Sequence, residues 1–299
     1  MTILQAIILG IVQGLTEFIP ISSTAHLVFA SRAVGLFESV QGGLRAEQTT
    51  ATIAVLQLGT LLAVLIYFAR DIASITRAFT VDHVALIRGR HRVASADGSD
   101  RRLSPDAWLG WLVIIGSIPV AVVGLFFRKQ IEGTFTKNLW VIATMMILIA
   151  LLLGVAELVA KQKRSMEQLG IFDAIIVGCA QVLALIPGSS RSGSTIMAGL
   201  FAGEVRETAA RFSFLLSIPA VLGSGLLELK KAIHILPHGS YGTLLIGTMV
   251  SGVVGYASIW FLLRYLRTHS TGVFIAYRLI VGSLILLALS TGHLSAAMK

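Results

Sequence analysis

The sequence predicts an all-α integral membrane protein: six transmembrane helices plus two re-entrant helical hairpins, arranged as two inverted-topology repeats. Three observations lead there. Of the 299 residues, 55% are hydrophobic and only 13% are charged, where a soluble domain carries roughly a quarter charged. Mean hydropathy is +0.84, and the runs 109–127, 140–155 and 241–263 approach or exceed the ~18–20 residues that cross a hydrocarbon core of about 30 Å. Two further apolar segments are interrupted by proline at similar places: Gly10-Ile-Val-Gln13 leads to Ile19-Pro20-Ile21-Ser22-Ser23, and Gly178-Cys-Ala-Gln181 leads to Ile186-Pro187-Gly188-Ser189-Ser190. A one-residue deletion aligns the two.

In chain order, a first repeat over 1–160 contains a re-entrant hairpin at 3–35, spans at 50–69, 108–127 and 139–159, and a long cytoplasmic loop at 70–107. A second repeat over 171–299 contains a hairpin at 172–203 and spans at 210–229, 241–265 and 272–292. Each repeat has an odd number of crossings, so the second enters the membrane from the opposite side. In that architecture paired interrupted segments mark a site near the midplane. A proline kink in an ordinary span would account for either break alone. Re-entrant hairpins also account for the hydroxyls crowded at both, which lipid-facing backbone does not need. The 70–107 loop carries Arg88-Gly-Arg-His-Arg92 and Asp97-Gly-Ser-Asp-Arg-Arg102 and reads as a flexible, solvated connector. The glycines of 247–255 read as close helix packing.

Charge is informative through its placement. The formal net charge is +9, but the basic residues are dispersed among short connections, which excludes nucleic acid as the natural partner and points to membrane topology. Fourteen Lys and Arg fall in 70–107, 160–171, 204–211 and 264–271, against eight in 32–49, 128–138, 230–240 and the C-terminus. The positive-inside rule places the first set in the cytoplasm and both termini outside. Residues 1–10 are uncharged and lack a cleavage signal, so they are expected to belong to the mature chain. The single cysteine, Cys179, permits no intrachain disulfide and no cysteine-based metal site.

The polar side chains inside apolar segments cluster at the two breaks. The first holds Gln13, Thr16, Glu17, Ser22, Ser23, Thr24 and His26; the second holds Gln181, Ser189, Ser190, Arg191, Ser192, Ser194 and Thr195. An ionised group at a helix centre costs about 2.5–3.5 kcal/mol on translocon scales, so Glu17 and Arg191 must be partnered or wet. Gln13 and Glu17 share one helical face, as do Ser22 or Ser23 and His26 beyond Pro20. Helix starts at Ser22–Ser23 and near Ser190–Arg191 aim unpaired N–H groups at an anion. Arginine favours phosphate or carboxylate through its planar fork. Glu17 would repel an anion, so it needs a second task, holding a divalent cation or accepting a proton. His26 titrates near neutrality, and Ser23 is a nucleophile it could activate. Each piece has a plainer role, His26 as a packed residue, the hydroxyls as helix glue and Glu17–Arg191 as a structural ion pair; their coincidence at two related breaks favours chemistry.

Gln13-Gly-Leu-Thr-Glu17-Phe-Ile-Pro-Ile-Ser-Ser-Thr-Ala-His26 and Pro187-Gly-Ser-Ser-Arg-Ser-Gly-Ser-Thr195 resemble the two signature motifs of the undecaprenyl pyrophosphate phosphatase, or bacitracin-resistance, family. The likeness extends to Gln57-Leu-Gly59, Gly116-Ser-Ile-Pro119 and Ala210-Arg-Phe-Ser-Phe-Leu-Leu-Ser-Ile-Pro219, and so to nearly the whole chain. The resemblance implies a multi-pass enzyme of the bacterial inner membrane, with two re-entrant hairpins in inverted repeats. It implies hydrolysis of undecaprenyl pyrophosphate to the monophosphate at the outer face, recycling the lipid carrier, with a divalent cation, Mg2+ or Ca2+, as cofactor. Gln13, Glu17, Ser22, Ser23, Thr24 and His26 match the first motif, and Ser190 and Arg191 the second. The chain departs from the usual pattern at Gln13, which removes one carboxylate, at Ala25, at Ser189, and in the length of 70–107.

The expected machinery follows. Glu17, with Gln13 on the same face, places the cation; Arg191 clamps the pyrophosphate with Ser22, Thr24, Ser189, Ser190 and Ser192; His26 handles the proton; Ser23 or a water attacks. The expected partners are a prenyl pyrophosphate lipid and membrane lipid, with a homodimer as the assembly considered. A secondary transporter or lipid flippase on the same repeats is the rival reading.

Overall fold

The computed structural model describes residues 1–37, 40, 42–89, 93–94, 100–101, 103–127 and 138–295. Among them are eleven α-helices: α1 (Ile3–Phe18), α2 (Ser23–Ala33), α3 (Gly42–Tyr67), α4 (Ala69–Ile87), α5 (Pro105–Phe126), α6 (Leu139–Val159), α7 (Ile171–Val182), α8 (Arg191–Phe201), α9 (Arg206–Ile235), α10 (Tyr241–Leu266) and α11 (Gly272–Ser290). Six of these, α3, α5, α6, α9, α10 and α11, are long and apolar enough to cross a membrane. They coincide with the six spans read from hydropathy, and the chain is a multi-pass membrane protein.

The two broken segments end and restart their helices by one shared device. Ile19, before Pro20, is extended at φ −66°, ψ 133°, as the proline ring requires of its predecessor. Ile186, before Pro187, is extended at φ −88°, ψ 124° after a 3-10 turn over Leu183–Leu185. Each restart is capped by a serine at positive φ, Ser22 at 79° and Ser190 at 68°. Such a backbone in a non-glycine residue costs about 1–3 kcal/mol and persists only where its surroundings enforce it. Gln13 precedes Ser22 by nine residues and Gln181 precedes Ser190 by nine. The structural register therefore follows the cap serines without a gap, and the prolines are offset by one.

Packing between the two halves is reciprocal. Helix α1 lies against α10 and α7 against α5, while α3 meets α9 and α6 meets α11. At the first contact a Cβ on Gly10 would fall 2.4 Å from the Gly247 carbonyl oxygen, and at the second a Cβ on Gly178 would fall 2.4 Å from that of Gly116. Helices in lipid gain little from hydrophobicity against each other and associate by such close backbone approach.

Ion pairs tie the ends of several helices together on one side. Arg206 pairs with Glu157, Arg211 with Asp71 at 2.7 Å, Arg267 with Glu207 at 2.7 Å, and Arg164 with Asp173 at 2.5 Å. This is the side to which the charge count assigns the fourteen basic residues.

The 70–107 segment corrects its expected form, since it opens with the nineteen-residue helix α4. Its charges obscured an apolar stripe at helical spacing, Ile72, Ile75 and Phe79, which packs against α5. Phe79 stacks on His83, whose ring accepts a hydrogen bond from Trp111 Nε1 at 3.0 Å. Asp82 accepts from both the backbone and the hydroxyl of Ser104 at 2.7 Å, closing the segment. Beyond it, Val93–Ala94 pairs antiparallel with Asp100–Arg101. Much of the two charged motifs, at 90–92, 95–99 and 102, lies outside the described residues, as do 128–137. Cys179 is a free, exposed thiol on α7.

Candidate active site

The two breaks meet in the interior. Ser192 Oγ, from the start of α8, donates to the Ile19 carbonyl of the first break at 3.3 Å and lies 3.2 Å from Ser190 Oγ. Arg191 Nη2 donates to Glu17 Oε1 at 2.8 Å, joining the hairpins by an ion pair whose side chains are 11% and 6% exposed. Its other terminal nitrogen, Nη1, is buried and has no partner among the described residues. The pair that could have been purely structural therefore consumes half of the guanidinium and leaves the other half without a partner among the described residues. A buried N–H without an acceptor costs about 1–3 kcal/mol, more when charged. An anionic ligand at this place removes that cost.

Glu17 is held from three sides. Gln13 Nε2 donates to Oε2 at 3.0 Å, and Gln57 Nε2, on α3, donates to Oε1 at 3.2 Å. Gln13 Nε2 also reaches Thr60 Oγ1 at 3.3 Å. The Ser23 hydroxyl faces the same carboxylate. Glutamine at position 13 thus acts as a donor that fixes Glu17.

His26 is engaged at both ring nitrogens. Nδ1 lies 2.7 Å from the Ser22 carbonyl and Nε2 lies 2.6 Å from Tyr277 Oη, with the two rings stacked at 5.6 Å. A carbonyl only accepts, so Nδ1 carries the hydrogen and Nε2 accepts from the tyrosine. The expected meeting of Ser23 with His26 is absent among these contacts; Ser23 lies near Glu17.

The remaining expected residues divide. Ser22 caps α2 by accepting from Ala25 N at 3.5 Å, and Ser190 caps α8 by accepting from Gly193 N at 3.1 Å. Ser189 is fully buried and donates to the Ile186 carbonyl at 2.7 Å, which commits it to the turn. Thr24 is exposed at the mouth of the break. Gln181, the counterpart of Gln13, is buried with neither amide atom partnered among the described residues.

One residue at the centre escaped the sequence reading. Arg278, on α11, is 0% exposed. It donates to Pro20 O at 3.3 Å, to Gly188 O at 3.0 Å, to Ser189 O at 3.1 Å, and to the carbonyls of Met145 and Met146 at 3.3 and 3.1 Å. It is the pin that holds both breaks in register, and its side chain has no carboxylate among these partners. Its signal was present, since a lone arginine in an apolar span is itself a functional-site indicator. Tyr277 beside it was missed for a different reason: tyrosine is common in spans.

A divalent cation fits this donor set only in part. Among the described residues no group of three or more His, Cys, Asp or Glu is placed to hold a metal, and Glu17 is the one carboxylate in the set described above. Magnesium is commonly held by one or two carboxylates with substrate phosphates completing the shell. The arrangement suits a cation that arrives with a pyrophosphate, not a resident metal caged by protein.

Known proteins match this chain over nearly its whole length. The model of the family described as "Bacitracin resistance protein BacA" matches residues 6–284. The undecaprenyl-diphosphatase of Syntrophobacter fumaroxidans is 50% identical over 286 residues, covering 96% of this chain and 97% of that one. That of Mycolicibacterium gilvum is 48% identical over 299 residues, 99% and 100% of the two chains, and that of Chlorobium limicola 45% identical over 305 positions, again 99% and 100%.

Proposed function

The chain belongs to the bacitracin resistance protein BacA family, and from that premise we propose how this undecaprenyl-diphosphatase carries out its reaction at the junction of the two hairpins. The enzyme hydrolyses undecaprenyl pyrophosphate to undecaprenyl phosphate and inorganic phosphate, returning the lipid carrier to cell-wall synthesis. The observation that carries the site assignment is Arg191 Nη1, at the serine-capped start of α8, buried and without a partner among the described residues.

In our reading the second hairpin supplies most of the hold on the substrate. Arg191 Nη1 and the N–H groups at the starts of α2 and α8 bind the terminal phosphate, with Ser190 and Ser192 beside them and Thr24 at the mouth. The first hairpin reacts. Ser23 Oγ attacks the terminal phosphorus, the bond to the bridging oxygen breaks, and the lipid leaves as its monophosphate carrying that oxygen. The hydroxyl proton passes to Glu17, the group Ser23 faces. A water then attacks the phosphoserine, His26 Nε2 takes its proton with Tyr277 as the relay, and Ser23 recovers its own from Glu17. Direct attack by water uses the same residues without the covalent stage. Glu17, steadied by Gln13, would hold a Mg2+ or Ca2+ ion, which supplies neutralisation of phosphate charge when bound.

We place the enzyme in the bacterial inner membrane with the termini and the mouth of the site outward, because the end bearing fourteen Lys and Arg belongs in the cytoplasm. The prenyl tail then lies in the bilayer alongside the spans. A homodimer is compatible with this arrangement. The test is phosphate release from a prenyl pyrophosphate by purified protein in detergent, with and without a chelator. Release that the chelator suppresses supports the reading; no release, as for a transporter or flippase without a gradient, refutes it.

A further inference from the structure

A further buried ionisable group lies at the opposite end of the second hairpin. Glu204, in the short connection between α8 and α9, is 0% exposed, and neither carboxylate oxygen has a hydrogen-bond partner among the described residues. It is closely wrapped: a Cβ on Gly199 would fall 2.6 Å from Oε2. Its backbone N donates to Gly199 O at 3.0 Å, and the flanking Val205 N donates to Arg164 O at 3.0 Å. The connection is thus stitched both to α8 and to the strand of chain that enters α7.

The charge around it settles its state. Arg164 is the nearby cation, and its fork is fully engaged: Nη1 donates to Asp173 Oδ1 at 2.5 Å and to Ala202 O at 3.1 Å, and Nη2 to Asp173 Oδ2 at 2.6 Å and to Gln168 O at 2.7 Å. Asp173, fully buried on α7, also accepts from Gly170 N at 2.7 Å. One guanidinium therefore balances one carboxylate, and Glu204 is the second. On the neighbouring elements, Arg206 is paired with Glu157, Glu207 with Arg267 and Arg211 with Asp71. Lys161, Lys163 and Glu167, on the connection that carries Arg164, are exposed to solvent. An ionised Glu204 would be a buried, unpaired anion beside Asp173, a far costlier state than the neutral acid.

We propose that Glu204 is a proton-binding site, holding a proton at the base of the second hairpin and releasing it, with loosening of the α8–α9 connection, when that side of the membrane turns alkaline. Burial and then the Asp173 charge push its carboxyl up to about 8. The folded chain thus keeps a proton that the unfolded chain gives up above about 4.5. The stability Glu204 contributes is full at acidic pH and is lost progressively as pH rises toward about 8. The proton is ligand enough for this pocket, since a cation would have to displace Arg164 from beside it.

Two measurements on the purified full chain test this. Thermal unfolding followed by tryptophan fluorescence, from about pH 5 to about pH 9, should show the Tm of wild type falling relative to Glu204→Gln by several degrees across the span from 4.5 to about 8. The amide variant keeps the neutral shape at every pH. Equal pH dependence in both proteins overturns the proposal. Infrared spectroscopy of wild type alone covers the case in which the variant does not fold. A protonated-carboxyl band at about pH 6 that fades as pH passes about 8 supports the site, and its absence at about pH 6 overturns it.

Discussion

The two hairpins share a backbone and differ in the side chains they place on it. Both break at an extended residue before proline, both restart on a serine at positive φ, and both place a glutamine nine residues before that serine. Their side chains then part. Where the first hairpin has Ser23 and His26 just after its cap serine, the second has Arg191 and Ser194; where the first has Glu17 four residues after its glutamine, the second has Leu185. Gln13 is engaged with Glu17 and Thr60, while Gln181 has no partner among the described residues. A duplicated frame that presents two helix starts to one point is suited to any anion. In the proposed function, the acid and imidazole on one copy and the guanidinium on the other turn an anion site into a place where one half holds and the other half reacts.

The sharpest way to break this division is through the holding half. Arg191→Lys keeps a charge but loses the second donor, so turnover should fall about a hundredfold or more with the fold intact. Steady-state phosphate release beside a thermal melt checks both parts; near-wild-type turnover would remove Arg191 from the clamp. On the reacting half, His26→Ala should cost about a hundredfold and delete one limb of the pH–rate profile near neutrality. An unchanged profile would leave His26 as packing. Tyr277→Phe should cost about tenfold, because it removes the partner of His26 Nε2 and keeps the ring stack. If Tyr277→Phe is silent, the imidazole is positioned by the Ser22 carbonyl alone.

What the sequence revealed and what it concealed follow from the kind of force involved. The six spans and both breaks were legible because hydropathy and proline act locally. The cap serines were legible for the same reason, though their alignment without a gap emerged only from the positive φ of Ser22 and Ser190. Helix α4 was hidden because its arginines and aspartates outweighed the stripe of Ile72, Ile75 and Phe79 in any average over the segment. Arg278 stands out in the sequence as a lone arginine in an apolar span, but its partners among the described residues are carbonyl oxygens, and a backbone acceptor leaves no mark in the sequence. Ser23 and His26 were expected to meet because they are three apart on one helix. Tyr277, from another element, takes the free nitrogen of His26, and Ser23 lies near Glu17, which no spacing rule anticipates.

The smallest effect sharpens the comparison at its starting point. Gln13→Glu adds charge to the face of Glu17 and removes a donor from it, so divalent-cation affinity should rise severalfold in a titration of phosphate release. An unchanged titration would mean that the cation is held by the pyrophosphate alone.

The central claim is that the first hairpin reacts on a substrate held by the second, with Ser23 as the attacking group. Rapid acid quenching of wild type during turnover of a terminally labelled prenyl pyrophosphate measures this directly. The account predicts a label that appears on Ser23 within a single turnover, is lost on a chase, and is missing from Ser23→Ala, which should bind substrate and release almost no phosphate. Appreciable phosphate release by Ser23→Ala, with no label on the wild-type chain, would contradict it and assign the attack to water.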